Sequence, residues 1–299
     1  SLFCLLMWDM SNFNKGIIST FFGSFWWGVI GVLYFKYISF VDPVEVVSHR
    51  VLWTIVFLFL TISFSKRIKL LVEIFKSKKK LIILFFSGLL IFINWATWIY
   101  ALTIDQLVEA SFGYYIFPIL SVFLGYFFLK EELNLRKKIS ISIIFFSILY
   151  MIYFLESFPW IGLIVAFSFS FYALLRKMVD VDTDIGLFIE SFFLIPVIIY
   201  IFYNLNINHD VAFSLENINL SMILILAGPM TVIPLFLFVR GSELSGLGPA
   251  SMIFFVAPTG QFILGLFLYN EPFEINKFIG FVFIWIAVLV YLKDLYENN

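Results

Sequence analysis

The chain has 299 residues, of which 62% are hydrophobic and only 13% charged. A soluble domain carries about 25% charged residues, so the composition excludes an ordinary soluble enzyme and equally a disordered, coiled-coil or collagen-like chain. One membrane-spanning helix needs roughly 20 apolar residues, so ten such helices would use most of the sequence. The single cysteine, Cys4, excludes an internal disulfide. The composition therefore predicts a polytopic membrane protein with short loops.

Ten apolar runs follow one another along the chain, and each is long enough to cross a membrane. Residues 1–13 precede them, and we expect this segment to be a disordered or misassigned extension, because Met10 offers a more natural start. The runs lie at about 16–37, 43–65, 81–103, 107–129, 138–156, 159–178, 184–204, 220–240, 246–269 and 276–293. The fold class predicted is an all-α membrane protein of ten transmembrane helices.

Lysine and arginine are distributed unequally between the two sides of these helices. If the N-terminus is cytoplasmic, 16 of the 19 basic residues fall in inner segments. The outer segments hold only Lys36 and Lys277, and Arg50 lies within a span. Because cytoplasmic loops of membrane proteins are rich in lysine and arginine, the pattern predicts that both termini are cytoplasmic. The basic run at 76–80 fits a loop beside anionic lipid headgroups, so we expect no nucleic-acid partner.

The second half of the chain repeats the first at an offset of about 140 residues. The matched pairs include Pro118 with Pro258, Gly125 with Gly265, Glu131 with Glu271 and Leu149 with Leu289. A repeat of five helices places its second copy upside down in the membrane, and inverted repeats are typical of transporters. We therefore expect two five-helix units of inverted topology, over 14–156 and 157–299.

Several motifs occur in order along these helices. They are Asp-Pro-Val-Glu-Val-Val-Ser-His-Arg at 42–50, Asn-Trp at 94–95, Val-Glu-Ala-Ser-Phe-Gly-Tyr at 108–114 and Ala-Pro-Thr-Gly-Gln-Phe at 257–262. Together they resemble the RarD-type proteins of the EamA group, in the drug/metabolite transporter superfamily. The resemblance implies ten helices, two EamA-type repeats and a bacterial inner-membrane location. It does not imply a natural substrate.

Ionisable residues within the spans are candidates for solute binding or proton coupling, because a charge in the bilayer centre costs at least about 2.5–3.5 kcal/mol. Arg50 and Glu109 share a similar depth in the outer half, so we expect them to pair. Glu190 has no basic residue near it on its own helix. Glu190 and His49 are the candidate proton carriers. On that hypothesis Glu190→Gln mimics the protonated form and preserves folding. The alternative is a structural network that includes Glu45.

Prolines and glycines mark candidate hinges in three spans. Proline removes a backbone donor and frees a carbonyl, which in transporters serves for bending or for binding. The candidates are Pro118 in the fourth span, Gly228, Pro229 and Pro234 in the eighth and Pro258 in the ninth. The alternative is a static kink packed against a neighbouring helix.

Aromatic and amide side chains suggest a cavity within the bundle. An aromatic cavity suits aromatic, amphipathic or cationic solutes through stacking and cation–π contacts, whereas each ring taken alone also fits simple packing. Asn94 and Gln261 are stronger candidates, because an amide in the membrane interior needs a partner. The aromatic candidates are Trp26, Trp27, Trp98, Tyr114, Tyr115, Tyr172 and Phe254.

The sequence contains no motif of a metalloprotease, a serine hydrolase or a phosphate-binding loop, so we expect no enzymatic activity, no cofactor and no metal. The expected partners are membrane lipids and a small organic solute such as a metabolite, an amino-acid-like compound or a drug. These observations favour a secondary transporter that works by alternating access, either facilitated or proton-coupled. The alternative is a non-transport membrane protein of the same fold, such as a lipid scramblase or an assembly factor.

Overall fold

The computed structural model describes residues 11–104, 106–154, 158–207, 211–268 and 275–298, and every regular element in these ranges is a helix. In chain order the helices are α1 (Asn12–Tyr37), α2 (Pro43–Phe64), α3 (Ile68–Phe75), α4 (Lys78–Thr103), α5 (Leu107–Leu129), α6 (Leu135–Tyr153), α7 (Trp160–Met178), α8 (Thr183–Phe192), α9 (Ile195–Ile207), α10 (Ile218–Ser245), α11 (Leu247–Ile253), α12 (Val256–Leu268) and α13 (Ile275–Asn298). The all-helical prediction is confirmed for these ranges.

Each of the ten predicted runs coincides with helical structure. Within the described ranges, eight helical stretches are long and apolar enough to cross a membrane, with α11 and α12 counted as one, and a ninth span results if α8 and α9 are joined across their 47° bend. The fifth predicted span corresponds to α6, whose first turn carries Arg136, Lys137 and Lys138. This charge leaves a shorter apolar stretch over 139–153, so the ten-span organisation remains a prediction.

Local capping fixes where the first two spanning helices begin. The Ser11 hydroxyl accepts a hydrogen bond from the backbone N–H of Asn14, which starts α1 at Asn12. Residues 12 and 13 therefore belong to the first helix and not to the expected extension, whereas residues 1–10 lie outside the described ranges. At α2 the Asp42 carboxylate accepts from the backbone N–H groups of Val44 and Glu45.

The basic connection between the second and third spans is itself partly helical. The sequence predicted a loop here, but α3 forms a short amphipathic helix that buries Leu71 and Ile74 in the core. Two apolar residues three positions apart lie on the same helix face. The charged residues around them stay exposed, and the helix packs beside α4.

Helix interruptions differ from those predicted. Helix α5 continues through Pro118, and α10 continues through Pro229 and Pro234. Of the predicted prolines, only Pro258 lies beside an interruption, at residues 254–255 between α11 and α12. A proline ring clashes with the carbonyl four residues earlier, which places the break at Phe254.

A second interruption, at residues 193–194, separates α8 from α9 and was not predicted. Pro196, which follows it, has the same relation to Phe192 that Pro258 has to Phe254. Gly228, another hinge candidate, is instead a packing contact: a Cβ there would collide with the backbone of Trp53. The eighth span is therefore a continuous helix pressed against α2.

A π-helical segment, Trp26–Gly31, interrupts the first span without ending it. Such segments are rare and are frequent at functional sites. Gly28 in this segment lies so close to α12 that a Cβ would be 2.6 Å from the Ala257 carbonyl oxygen. The absence of a side chain at Gly28 thus lets the irregular part of α1 rest directly on the broken ninth span.

The helices pack in pairs that recur between the two halves. α1 packs on α10 and α4 on α7, and likewise α2 packs on α10 and α4 on α8. The helices α6 and α13 pack on each other, as do α5 and the α11–α12 span. Each of these contacts between spans has a counterpart five spans later, as two equivalent five-helix units would produce.

Candidate functional site

A cavity lies between the two halves of the chain. The first, second, third and fourth spans contribute to it from one half, and α7 and the broken α11–α12 span contribute from the other. Its described lining residues are Trp27, Gly31, Phe35, Arg50, Asn94, Trp95, Trp98, Tyr114, Phe169, Phe254 and Gln261. The sequence analysis selected seven of these residues, and the fold brings them together: Trp27, Arg50, Asn94, Trp98, Tyr114, Phe254 and Gln261.

The two irregular helices place aromatic rings in this cavity. Trp27 from the π-helical segment packs edge-to-face on Phe169 and Phe254, with ring centroids 5.6 and 5.7 Å apart. Phe254 immediately follows the end of α11, where Pro258 breaks the helix. Tyr114 contacts the same two rings at 6.0 and 5.5 Å. The cavity wall therefore includes the two places where these spans depart from regular α-helix.

The amides of the cavity have their own partners. Asn94 donates through Nδ2 to the Val165 carbonyl at 3.1 Å, and its Oδ1 accepts from the Tyr114 hydroxyl at 3.2 Å. The Gln261 Oε1 lies 2.7 Å from the Ser111 hydroxyl. These bonds fix the orientation of Asn94 and Gln261 and join the spans around the cavity, which satisfies buried amides away from water.

Arg50 is the one cation among the described lining residues, and only 3% of its surface is exposed. Its Nε donates to the Thr231 hydroxyl at 3.0 Å. Its guanidinium carbon lies 4.7 Å from the Phe35 ring and 4.8 Å from the Trp95 ring, so cation–π attraction offsets part of the cost of burial. No carboxylate forms an ion pair with it within the described ranges.

The predicted Arg50–Glu109 ion pair is therefore wrong. Glu109 turns its carboxylate to the backbone and accepts from the Ile161 N–H at 3.0 Å, at the start of α7. The first N–H groups of a helix lack partners within that helix, and an anion is stabilised there by the helix dipole. Glu109 thus stabilises α7 and leaves Arg50 to other groups.

Glu45 and His49 form an anchor for the segment that precedes α10. The Glu45 carboxylate accepts from the backbone N–H groups of Ala212 and Phe213 at 2.9 to 3.0 Å. His49 Nε2 lies 3.5 Å from Glu45 Oε1, and its Nδ1 accepts from the Trp53 indole N–H at 3.1 Å. His49 does not line the cavity, so it makes no contact there that would support its predicted role in solute binding or coupling.

Glu190 is paired by residues from neighbouring helices. Ser87 donates to its Oε1 at 2.6 Å, Tyr172 donates to its Oε2 at 3.5 Å, and Arg176 Nε lies 3.5 Å from Oε1. Arg176 was counted with the basic residues of an inner loop, but only 1% of its surface is exposed. Gly186 makes room for it, because a Cβ there would collide with the guanidinium group.

Tyr115 and Tyr172 likewise lie outside the cavity. Tyr115 stacks on Phe281, with ring centroids 4.5 Å apart, and belongs to the core around α6 and α13. The cavity contains four residues that the sequence analysis did not select: Gly31, Phe35, Trp95 and Phe169. Trp95 and Phe169 are of the same residue types as the selected Trp98 and Phe254. Residue type alone therefore could not show that they face the cavity.

A helical membrane protein with a polar, aromatic cavity between two halves has the architecture of a solute transporter. Residues 14–153 match the EamA-like transporter family. The chain is 34% identical to the uncharacterized transporter YojE of Bacillus subtilis, covering 93% of each chain, and 32% identical to an uncharacterized transporter of Vibrio cholerae, covering 96% and 94%. It is also 29% identical to protein RarD of Escherichia coli, covering 96% of each.

The chain therefore belongs to the EamA-like transporter family, and within it to the RarD-type proteins. These names describe transporters and not enzymes. With several apolar helices and bacterial relatives, the chain is a multi-pass protein of the inner membrane.

Because Arg50 and Glu109 have different partners, substitutions at the two residues should affect stability independently. Because they share no partner, the losses in unfolding free energy from Arg50→Met and Glu109→Gln should add to within about 0.5 kcal/mol in the double variant. Unfolding of the purified protein in detergent measures all three variants. A double variant markedly more stable than the sum would restore the direct pair.

The Glu190–Arg176 pair gives the opposite expectation. Glu190→Gln leaves a buried guanidinium unpaired, which costs about 3–5 kcal/mol, and adding Arg176→Met should recover much of that loss. The same unfolding measurement tests it, with Arg240→Gln, at an exposed ion pair with Glu243, as the control that changes little. A Glu190→Gln protein as stable as the wild type would contradict the pairing.

Proposed function

We propose that this protein is a secondary transporter that moves a small organic solute across the bacterial inner membrane by alternating access. The observation that carries the proposal is the cavity at the interface of the two halves, lined by buried polar groups and aromatic rings. In transporters built from repeats, solutes bind at such an interface and one unit rocks against the other.

We propose two inverted five-helix repeats as the structural basis of this mechanism. The family match covers residues 14–153, close to the first predicted unit at 14–156. The recurrence of helix contacts five spans later supports a second unit of equivalent structure. Two such units in opposite orientation give two states of similar energy, open to opposite sides.

The conformation described here fits a closed state of this cycle. The free space in the cavity is about 20 Å³, enough for one or two water molecules but too small for an organic solute. Binding therefore requires the walls to separate. The π-helical segment of α1 and the break between α11 and α12 lie on opposite sides of one contact, between Gly28 and Ala257, and we assign the opening movement to this pair.

We further propose facilitated exchange as the mode of transport. The carboxylate expected to carry a proton, Glu190, is outside the cavity lining and is neutralised by Arg176. A carboxylate held by a buried cation and a hydroxyl acts as a link between α4, α7 and α8. Solute exchange should consequently not depend on a pH gradient.

The rival function, lipid scrambling, requires polar groups that lipid headgroups can reach from the membrane. Here the polar cavity residues are enclosed: Arg50, Asn94 and Gln261 are each no more than 3% exposed. The surface that faces outward from the bundle is instead rich in exposed phenylalanine, for example Phe59, Phe86 and Phe146. This distribution favours a solute that enters between the halves.

Reconstitution into liposomes tests the proposal. Vesicles loaded with an unlabelled solute should take up the same labelled solute in a saturable way, across a panel of organic anions, neutral compounds and cations. Uptake should be equal with and without an imposed pH gradient. Scrambling of a fluorescent lipid without saturable solute exchange would establish the rival function, and exchange that follows the gradient in the wild type but not in Glu190→Gln would establish proton coupling.

The orientation is proposed from the basic residues, with both termini in the cytoplasm. In a Cys4→Ser background, Leu215→Cys, in the segment before α10 and 91% exposed, should react with an impermeant thiol reagent in whole cells. Glu73→Cys, exposed in α3, is the matched position on the opposite side and should react only after the membrane is opened. The reverse labelling pattern would invert the topology.

A further inference from the structure

We infer that the solute of this transporter is a small organic monoanion with a flat, apolar body, and that Arg50 binds its carboxylate. The inference rests on the proposed transport function and names its substrate class. The carrying observation is a buried guanidinium in the cavity wall that has no anionic partner.

Only one side of the Arg50 guanidinium donates a hydrogen bond within the described part of the protein. Its Nε side donates to Thr231, and Thr231 in turn donates to the Ala227 carbonyl at 2.8 Å, which holds the arginine against α10. The two terminal amino groups form no hydrogen bond within the described part of the chain. These are the groups that bind a carboxylate through two parallel hydrogen bonds.

The acidic residues near the second and fourth spans cannot supply that carboxylate from within the protein. Glu45 accepts backbone N–H groups before α10, Glu109 accepts the N–H of Ile161, and Glu190 pairs with Arg176. Each of these carboxylates therefore already has a partner other than Arg50. None of the described residues that line the cavity is acidic, so the lining has one net positive charge.

Other polar groups of the lining also favour an acceptor-rich ligand. The indole N–H groups of Trp95 and Trp98 are buried and have no hydrogen-bond partner in the described ranges. The carbonyl oxygen of Asn94 already accepts from Tyr114. The lining therefore offers a ligand more unpaired hydrogen-bond donors than free acceptors. An ammonium group, which only donates, would need the opposite.

The aromatic rings of the cavity lining indicate that the ligand has a flat, apolar part. Trp27, Phe169, Phe254 and Tyr114 form one contiguous set, with neighbouring centroids 5.3 to 6.0 Å apart. A planar ring could insert among them by offset or edge-to-face packing. The Phe35 and Trp95 rings lie against the guanidinium, so the anionic end would meet Arg50 at its two unused terminal amino groups.

A single cation favours a single negative charge. A monoanion leaves the cavity neutral when bound, whereas a phosphate dianion would leave an uncompensated charge in a closed space. A cationic solute would meet like charge from Arg50. The cation–π contacts expected from the sequence are already made by this internal cation.

Three indole compounds of nearly equal shape test the charge. We expect indole-3-acetate to raise the apparent melting temperature of the purified protein and to exchange saturably in liposomes, because a ligand that binds the folded state stabilises it. Indole-3-acetamide, which is neutral, and tryptamine, which is a cation, should bind at least roughly tenfold more weakly. This comparison uses the wild-type protein and does not depend on the folding of a variant.

Variants then assign the charge to Arg50. Arg50→Gln should weaken indole-3-acetate binding at least roughly tenfold while changing indole-3-acetamide binding little. Arg50→Lys should retain part of the affinity, since lysine keeps the charge but not the two-pronged geometry. Arg240→Gln removes a surface cation remote from the cavity lining and should leave all three ligands unaffected.

The outcomes separate this inference from the transport function. Preference for the amide or the amine, no binding of any of the three, or unchanged indole-3-acetate affinity in Arg50→Gln would each overturn the assignment. Saturable exchange of other solutes from the panel would in those cases leave the transport function standing. Absence of saturable exchange for every solute would refute the function itself.

Discussion

The interior of a membrane protein offers polar groups little water, so an ionised side chain there needs a partner within the chain or in a ligand, and this constraint organises the structure. The acidic side chains meet it in one recurring way. Glu45, Glu109 and Glu131 all accept hydrogen bonds from backbone N–H groups: Glu109 and Glu131 at the starts of α7 and α11, and Glu45 in the segment that precedes α10. Each joins a residue of the first half to the second half, and at α7 and α11 the unpaired N–H groups of the helix start attract the anion.

This use of carboxylates explains the character of the cavity. Because Glu45 and Glu109 accept backbone N–H groups and Glu190 pairs with Arg176, Arg50 lies in the cavity wall with no carboxylate partner among the described residues. Its neighbours include the Thr231 hydroxyl and the Phe35 and Trp95 rings. A buried charge held in this way is costly for stability. Its retention in the wall is understandable if a bound anion completes the site during transport.

Two of the three described helix irregularities lie beside the cavity, and the third, at residues 193–194 between α8 and α9, lies away from its lining. The π-helical segment of α1 and the break before α12 approach each other at Gly28 and Ala257, and both contribute rings to the cavity. Pro118 and Pro234, by contrast, lie in continuous helices. A proline ends a helix where neighbouring packing permits the backbone to depart, and this depends on the surrounding helices as much as on the residue.

The sequence by itself determined the helical class and the positions of the apolar helices, because hydrophobic length is a local property of the chain. It also selected Arg50, Asn94 and Gln261, since charged and amide side chains are rare in apolar spans. Trp27, Trp98, Tyr114 and Phe254 were named only as members of a larger set of aromatic candidates. Only the tertiary structure decided their partners. Pairing depends on how helices rotate about their axes, and similar depth in the membrane did not reveal that Glu109 turns to Ile161 and Arg50 to Thr231.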